Sequence, residues 1–303
     1  MNYGVLLSSA CFSITIALRS IGPQIKNLLK KRNQWRTYYI ASTYEAKSEI
    51  NTYLLNAYFV TGFADAESSF VISIHKNKKL KIGWEVRASF QISLHQKDLA
   101  LLKLIRNYFN DVGNIYKKDK DIIHYQVNSI QDLIHVIIPH FDKYSLLTQK
   151  RADFELFKLI VDLINKKEHL MLEGLQKIIA IKYSLNMGLS DELKKAFPNV
   201  VPVLRPLVVD QEIQNPYWLA GFTSGDGSFY IDVNKDKTKL GETARLVFKI
   251  SQHSKDEKLM RSLVNFFSCG RYVPRSTIDY AGKLREIWCL SVNEYSKWKN
   301  LYW

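Results

Sequence analysis

From residue 70 onward the chain changes hydrophobic period in a fixed order. Phe70 to Lys76 alternates apolar and polar positions, and so does Trp84 to Leu94, with a Lys-rich stretch from Asn77 to Lys81 between them. A period of two predicts strands, here joined as a β-hairpin. Leu99, Leu102, Ile105 and Phe109 then fall on one face of a helix predicted over 98–110. Residues 113–116 and 122–127 predict a second hairpin around a charged turn. The ranges 130–141, 149–165 and 172–186 predict helices.

This order starts again in the second half of the chain. The phrase Asn56-Ala-Tyr-Phe-Val-Thr-Gly-Phe-Ala-Asp-Ala-Glu-Ser-Ser-Phe70 is echoed by Asn215-Pro-Tyr-Trp-Leu-Ala-Gly-Phe-Thr-Ser-Gly-Asp-Gly-Ser-Phe229. Alternating runs from Phe229 to Lys235 and from Thr243 to Gln252 follow the second copy. Phe90-Gln-Ile-Ser-Leu-His-Gln-Lys-Asp98 is echoed by Phe248-Lys-Ile-Ser-Gln-His-Ser-Lys-Asp256. Nothing in the second half corresponds to 141–186, so the second repeat reads as truncated, with the apolar rear of its sheet left uncovered. Pro198, Pro202 and Pro206 mark a stiff connector. The expected divisions are an N-terminal extension over 1–50, a first repeat over 51–197, a linker over 198–214 and a second repeat over 215–303.

Each phrase predicts a short helix. Asn56 and Asn215 stand where an N-cap belongs, and Pro216 occupies the favoured first position. Gly62 with Ala66, and Gly221 with Gly225, place small residues four apart, a spacing that lets two backbones approach; the duplication favours the two copies packing on each other. Glu67 and Asp226 come at the helix C-termini, where the helix dipole disfavours a carboxylate without a cation. Two such ends side by side repel unless a divalent ion lies between them, and an oxygen-only ligand set suits Mg²⁺.

The strands supply a polar surface. Val71, Ser73, His75 and Asn77 share one face, and Arg87, Ser89, Gln91 and Ser93 share the matching face of the next strand. The second-half sets are Tyr230, Asp232 and Asn234, then Arg245, Val247, Lys249 and Ser251. Mixed hydrogen-bonding side chains are what reading base edges requires. The turn lysines, Lys76, Lys78, Lys79, Lys81, Lys235, Lys237 and Lys239, suit phosphates.

A net charge of +14 points to a polyanionic partner. Cys11, Cys269 and Cys289 are too scattered for a disulfide framework or a zinc site. The first 44 residues lack Asp and Glu and carry Arg19, Lys26, Lys30, Lys31, Arg32 and Arg36. They read equally as an organelle transit peptide or as a fused upstream segment. The apolar stretch from Gly4 to Leu18 is too short to span a bilayer stably.

The paired phrases resemble the nine-residue motifs of single-chain LAGLIDADG homing endonucleases of the fungal mitochondrial, intron-encoded type. The motifs are Val60-Thr-Gly-Phe-Ala-Asp-Ala-Glu-Ser68 and Leu219-Ala-Gly-Phe-Thr-Ser-Gly-Asp-Gly227. Leu146-Leu-Thr-Gln-Lys150, Lys166-Lys-Glu-His-Leu170 and Asp191-Glu-Leu-Lys-Lys-Ala-Phe197 extend the resemblance, which covers roughly 51–303.

The resemblance implies an α+β fold of two pseudo-symmetric αββαββα repeats. Their motif helices form the central interface, and two antiparallel sheets make a saddle over double-stranded DNA. It implies a monomer and a mitochondrial setting, with Mg²⁺ or another divalent cation held by Glu67 and Asp226 and helped by the carbonyls of Ala66 and Gly225. Lys150 and Gln252 match positions that often carry basic or polar groups near the cleavage site. An RNA-binding intron maturase and an inactive DNA-binding relic are the alternatives. Two departures stand within the motifs. Ser68 replaces a terminal glycine, which predicts strain if that position needs positive φ. Ser224 replaces the sixth-position Asp.

Overall fold

The computed structural model describes residues 55–235, 242–278 and 284–292; the side chains of 231–235, 242–246, 275, 277–278 and 284–292 lie outside that description. The first half opens with α1 (Ala57–Glu67), β1 (Ser68–Lys76), β2 (Trp84–His95) and α2 (Leu99–Tyr108). It continues through β3 (Asn114–Lys117), β4 (Ile122–Val127) and a helix α3 over 130–143. Three helices follow: α4 (Lys150–Asn165), α5 (Leu172–Tyr183) and α6 (Asp191–Ala196). The second half repeats the opening with α7 (Pro216–Asp226), β5 (Gly227–Lys235), β6 (Glu242–His253), α8 (Glu257–Phe267), β7 (Arg271–Ile278) and β8 (Leu284–Val292).

The two sheets are antiparallel and share one topology, β1-β2-β4-β3 and β5-β6-β8-β7. Their registers match as well. Phe70 opposes Phe90 in the first sheet, as Phe229 opposes Phe248 in the second. The architecture is the expected α+β repeat with the motif helices at its centre.

Alternation places Phe70, Ile72 and Ile74 in the core, with Val71, Ser73 and His75 on the other face. The ring of Phe70 lies 5.2–5.4 Å from those of Phe90, Phe141, Phe154 and Phe157. This packing joins β1 and β2 to α3 and α4. Truncating such a fully buried ring costs about 3–5 kcal/mol. Of the predicted face of α2, Leu102, Ile105 and Phe109 are buried while Leu99, the first residue of the helix, is exposed. α3 contains a wide π turn over Leu133–Ile137, just before Pro139, which has no N–H to give the helix ladder.

Among the described residues a second core forms under the second sheet. Trp218, Leu219, Phe222, Phe248, Ile250, Leu259, Met260, Leu263 and Phe267 fill it. Among the described residues, α8 is the helix that backs the second sheet. No helix among them is long and apolar enough to cross a membrane.

The segment between α6 and α7 carries neither helix nor strand and is anchored by side chains. Arg205 donates from Nη1 to Asp153 Oδ1 at 2.7 Å and from Nη2 to Asp153 Oδ2 at 3.0 Å. Gln211 Nε2 donates to Leu147 O at 2.9 Å.

Candidate metal and nucleic-acid site

The site begins with how closely α1 and α7 meet. Their N-termini are capped identically: Asn56 Oδ1 accepts from Tyr58 N and Asn215 Oδ1 from Tyr217 N, each at 2.9 Å. In the middle only glycine fits. A Cβ on Gly62 would lie 1.8 Å from the Trp218 carbonyl oxygen, and one on Gly221 would lie 2.0 Å from that of Phe59. A turn further on, a Cβ on Gly225 would meet the Ala66 Cβ at 2.5 Å and Glu67 Oε1 at 3.2 Å. The Glu67 carboxylate therefore lies against the last turn of α7.

Both helices end on their acid, Glu67 on α1 and Asp226 on α7. Burial pushes the carboxyl pKa of Glu67 up, and the charge of Asp226 pushes it further. Burial raises Asp226 too, against the lowering effects of Lys150 and a hydrogen bond from Gln252. Gln252 Nε2 donates to Asp226 Oδ2. Lys150 Nζ donates to the carbonyls of Ala64 at 2.9 Å and Ala66 at 3.3 Å. Burial lowers its pKa, opposed by the charges of Asp65, Asp226 and Glu67. The four residues expected near a cleavage site thus come together.

This donor chemistry fits a hard divalent cation. Two carboxylates sit where burial and mutual repulsion oppose their ionisation, and a cation relieves both. Among the described residues no group of three or more His, Cys, Asp or Glu forms a metal cluster. The two acids form a pair at the helix ends, beside the last carbonyls of each helix. The carbonyl of Ala66 also accepts from Lys150, while that of Gly225 belongs to the helix end packed on Glu67.

The strand faces flank this centre. In the first sheet Val71 opposes Ser89, Ser73 opposes Arg87 and His75 opposes Glu85. His75, Arg87 and Ser93 are exposed, while Val71, Ser73, Asn77 and Gln91 are partly so. Ser89 is buried beneath Gln91, whose Nε2 donates to its Oγ at 2.9 Å. Glu85, absent from the expected face, accepts from Arg87 Nε at 2.7 Å and from Asn77 Nδ2 at 3.1 Å. In the second sheet Tyr230 is exposed, and Lys249 and Ser251 are half-buried. Val247, expected on the polar face, is buried opposite Tyr230. The side chains of Asp232, Asn234, Arg245 and Lys235 lie outside the described ones, as do Lys237 and Lys239 entirely.

The strain expected at Ser68 does not occur. Its φ is −89° and ψ 164°, ordinary extended backbone, and its Oγ donates to Ala64 O at 2.6 Å. The chain passes straight from helix to strand there, so no left-handed residue is required.

Sequence reasoning missed the carboxylates behind the site. Asp65, at the sixth motif position, is buried and accepts from Leu147 N at 2.8 Å, Thr148 N at 3.2 Å, Thr148 Oγ1 at 2.6 Å and Trp218 Nε1 at 2.8 Å. Burial raises its pKa against the bonds from the Thr148 hydroxyl, Leu147 N and Trp218 and the charge of Lys150. Asp256 is buried as well, with its pKa raised by burial to about 6. His140 bridges Thr61 Oγ1 and Tyr108 Oη, and burial drives its pKa down to about 3, so it is a neutral core group. A cavity of about 580 Å³ opens beside the pair, lined by Asp65, Lys150, Asp226, Gln252 and Asp256 among others. The available signal was the repeated His-x-x-Asp at 95–98 and 253–256.

The chain is thus a two-fold repeat with glycine-mediated helix contact, paired acids at the helix ends and polar sheet faces beside them. The chain belongs to the LAGLIDADG endonuclease family, whose pattern matches residues 60–161 and 219–297. It is 45% identical over 227 residues to a probable intron-encoded endonuclease 2 of Neurospora crassa, covering 71% of this chain and 49% of that protein. With probable intron-encoded endonuclease 3 of the same fungus it shares 41% over 244 residues, 78% of this chain and 46% of the relative. The chain thus spans about half the length of these curated relatives. Among solved structures, I-SmaMI bound to cleaved DNA superposes with a TM-score of 0.76 at 42% identity, covering 81% of this chain and 80% of that one. I-CpaMI bound to uncleaved DNA gives 0.74 at 39%, covering 80% and 81%.

Proposed function

We propose that this protein is a site-specific double-strand DNA endonuclease of the homing type, acting as a monomer with Mg²⁺. The observation that carries the reading is the convergence of Glu67 and Asp226 at the ends of two helices packed through Gly62 and Gly221. Glu67 and Asp226 would hold the cation, with the carbonyls of Ala66 and Gly225. When bound, the metal supplies Lewis acidity and a water acidic enough to attack a phosphodiester.

The chain's own groups do the rest. Gln252 fixes one oxygen of Asp226 by its hydrogen bond. Lys150 brings a buried positive charge beside both acids, placed to offset negative charge building on a phosphate. His75, Arg87, Gln91, Ser93, Tyr230, Lys249 and Ser251 lie on the strand faces suited to base edges, and Lys76, Lys78, Lys79 and Lys81 to the phosphate backbone. Relatives named as intron-encoded endonucleases support an intron-encoded, mitochondrial origin for this chain as well.

Incubating the purified chain with Mg²⁺ and a pool of candidate duplexes tests the reading. A single duplex cut on both strands is expected. Binding of structured RNA in preference to any duplex, with no cleavage in the pool, would replace this reading with that of an RNA-binding maturase.

A further inference from the structure

The turn that carries Lys150 is built by both halves of the molecule. On one side Asp65, from α1, takes the N–H groups of Leu147 and Thr148 and the Thr148 hydroxyl. The other side is held by Asp256, which stands in a 3₁₀ turn of the second half (Ser254–Asp256). Asp256 Oδ1 accepts from Gln149 N at 2.8 Å and from Gln211 Nε2 at 2.8 Å. The same Gln211 amide nitrogen donates to Leu147 O at 2.9 Å. Asp256 and Gln211 are 4% and 3% exposed, so water does not substitute for these bonds. Arg205 Nη2 closes the arrangement by donating to Gln149 O at 3.0 Å.

Gln149 is the N-cap of α4, and its own side chain makes no capping bond. The first turn is capped instead by Thr148, whose Oγ1 accepts from Lys150 N at 3.2 Å and whose carbonyl accepts from Arg151 N at 3.0 Å, so the helix start is placed by the turn before it and by the groups that hold that turn. Lys150 is the next residue, and its Nζ must reach the Ala64 and Ala66 carbonyls at the end of α1. The matching residue of the first half, Asp98, is exposed. Among the described residues the clasp runs one way, from the second half onto the lysine of the first.

We propose that Asp256, through Gln149 and Gln211, is a positioning residue that sets the Lys150 ammonium beside the Glu67–Asp226 pair. This assignment rests on the endonuclease reading for its purpose, though not for its test. Both bonds go to one oxygen, Oδ1. Asn at 256 can therefore keep them, whereas Ala cannot.

The test is competitive labelling of Lys150 in the full chain with an amine-acylating reagent, read by peptide mass spectrometry against an exposed lysine. Asp256→Ala and Gln211→Ala are expected to raise Lys150 labelling by about tenfold, the effect of one lost hydrogen bond to a charged group. Asp256→Asn is expected to label like the parent chain. Unchanged labelling in folded Asp256→Ala or Gln211→Ala overturns the proposal, and so does an Asn variant that labels like Ala. Should Asp256→Ala fail to fold, the Gln211→Ala and Asp256→Asn pair decides.

Single-turnover cleavage is a separate readout. Asp256→Ala should slow cutting with DNA affinity retained, and should slow a Lys150→Ala chain no further. Additive losses in that double variant would also overturn the proposal. Absence of cutting by the parent chain would count against the endonuclease reading alone and leave the labelling result standing.

Discussion

The two motif helices agree at their ends and differ two residues earlier. Glu67 and Asp226 occupy matching last positions, and Gly62 and Gly221 matching contact points. At the sixth motif position Asp65 is buried and accepts four hydrogen bonds, while Ser224 is exposed and only returns a bond to Ala220 O in its own helix. The halves also differ in support. The first sheet is backed by α2, α3 and α4, and the described part of the second by α8. What must be paired is kept alike, while the groups that hold the turn of Lys150, Asp65 from the first half and Asp256 from the second, are not matched by their counterparts Ser224 and Asp98, both exposed. Symmetry serves the acid pair, and asymmetry serves Lys150.

The most damaging break should come where the halves touch. Gly62→Val or Gly221→Val forces a side chain into a carbonyl about 2 Å away. Backbone must move, and the expected loss exceeds about 3 kcal/mol, since neither clashing atom lies at the end of a flexible side chain. Thermal melts would show both variants falling together; a stable variant would mean the helices do not pack as described.

Next in size is the sixth position. Asp65→Ala strips the acceptor from Leu147, Thr148 and Trp218, and about 3 kcal/mol of stability should go with it. Ser224→Ala should stay within about 0.5 kcal/mol. Equal losses at the two positions, measured by chemical denaturation, would erase the asymmetry.

Lys150→Ala should lower the cleavage rate by about 10²-fold. It should also move the pH profile. Activity needs the carboxylates ionised to take the cation, and in the metal-free chain burial raises both pKa values, so their ionisation shapes the acid limb. Lys150 lowers both, so its removal should push the limb to higher pH. A limb that stays in place would separate Lys150 electrostatically from the pair.

The smallest expected effect is at the helix-to-strand junction. Ser68→Gly removes one hydrogen bond to Ala64 O and relieves no strain, so it should cost about 1 kcal/mol. A gain in stability would revive the idea of a misfit serine.

Much of this was legible in the sequence because the informative residues are local. Asn56 and Asn215 announce caps, Gly62 and Gly221 a close approach, and alternation from Phe70 onward the buried and open strand faces. The carboxylates behind the site were not legible in that way. Asp65 meets Trp218 across 153 residues, and Asp256 meets Gln149 across 107. Neither pairing leaves a periodic trace. Val247 keeps the face that alternation assigns it, opposite Tyr230, but is buried there, because alternation sets a face and not what covers it. Ser68 shows the opposite error, in which a motif's usual glycine suggested a backbone demand that its φ of −89° does not make.

The central claim is that one carboxylate from each half forms a shared metal centre. Strand-resolved cleavage of a cognate duplex in Mg²⁺ tests it most directly, comparing the parent chain with Glu67→Gln and Asp226→Asn. Each variant should lose cutting of both strands by about 10³-fold or more while binding the duplex as before. Persistent cutting of either strand by either variant would contradict the account.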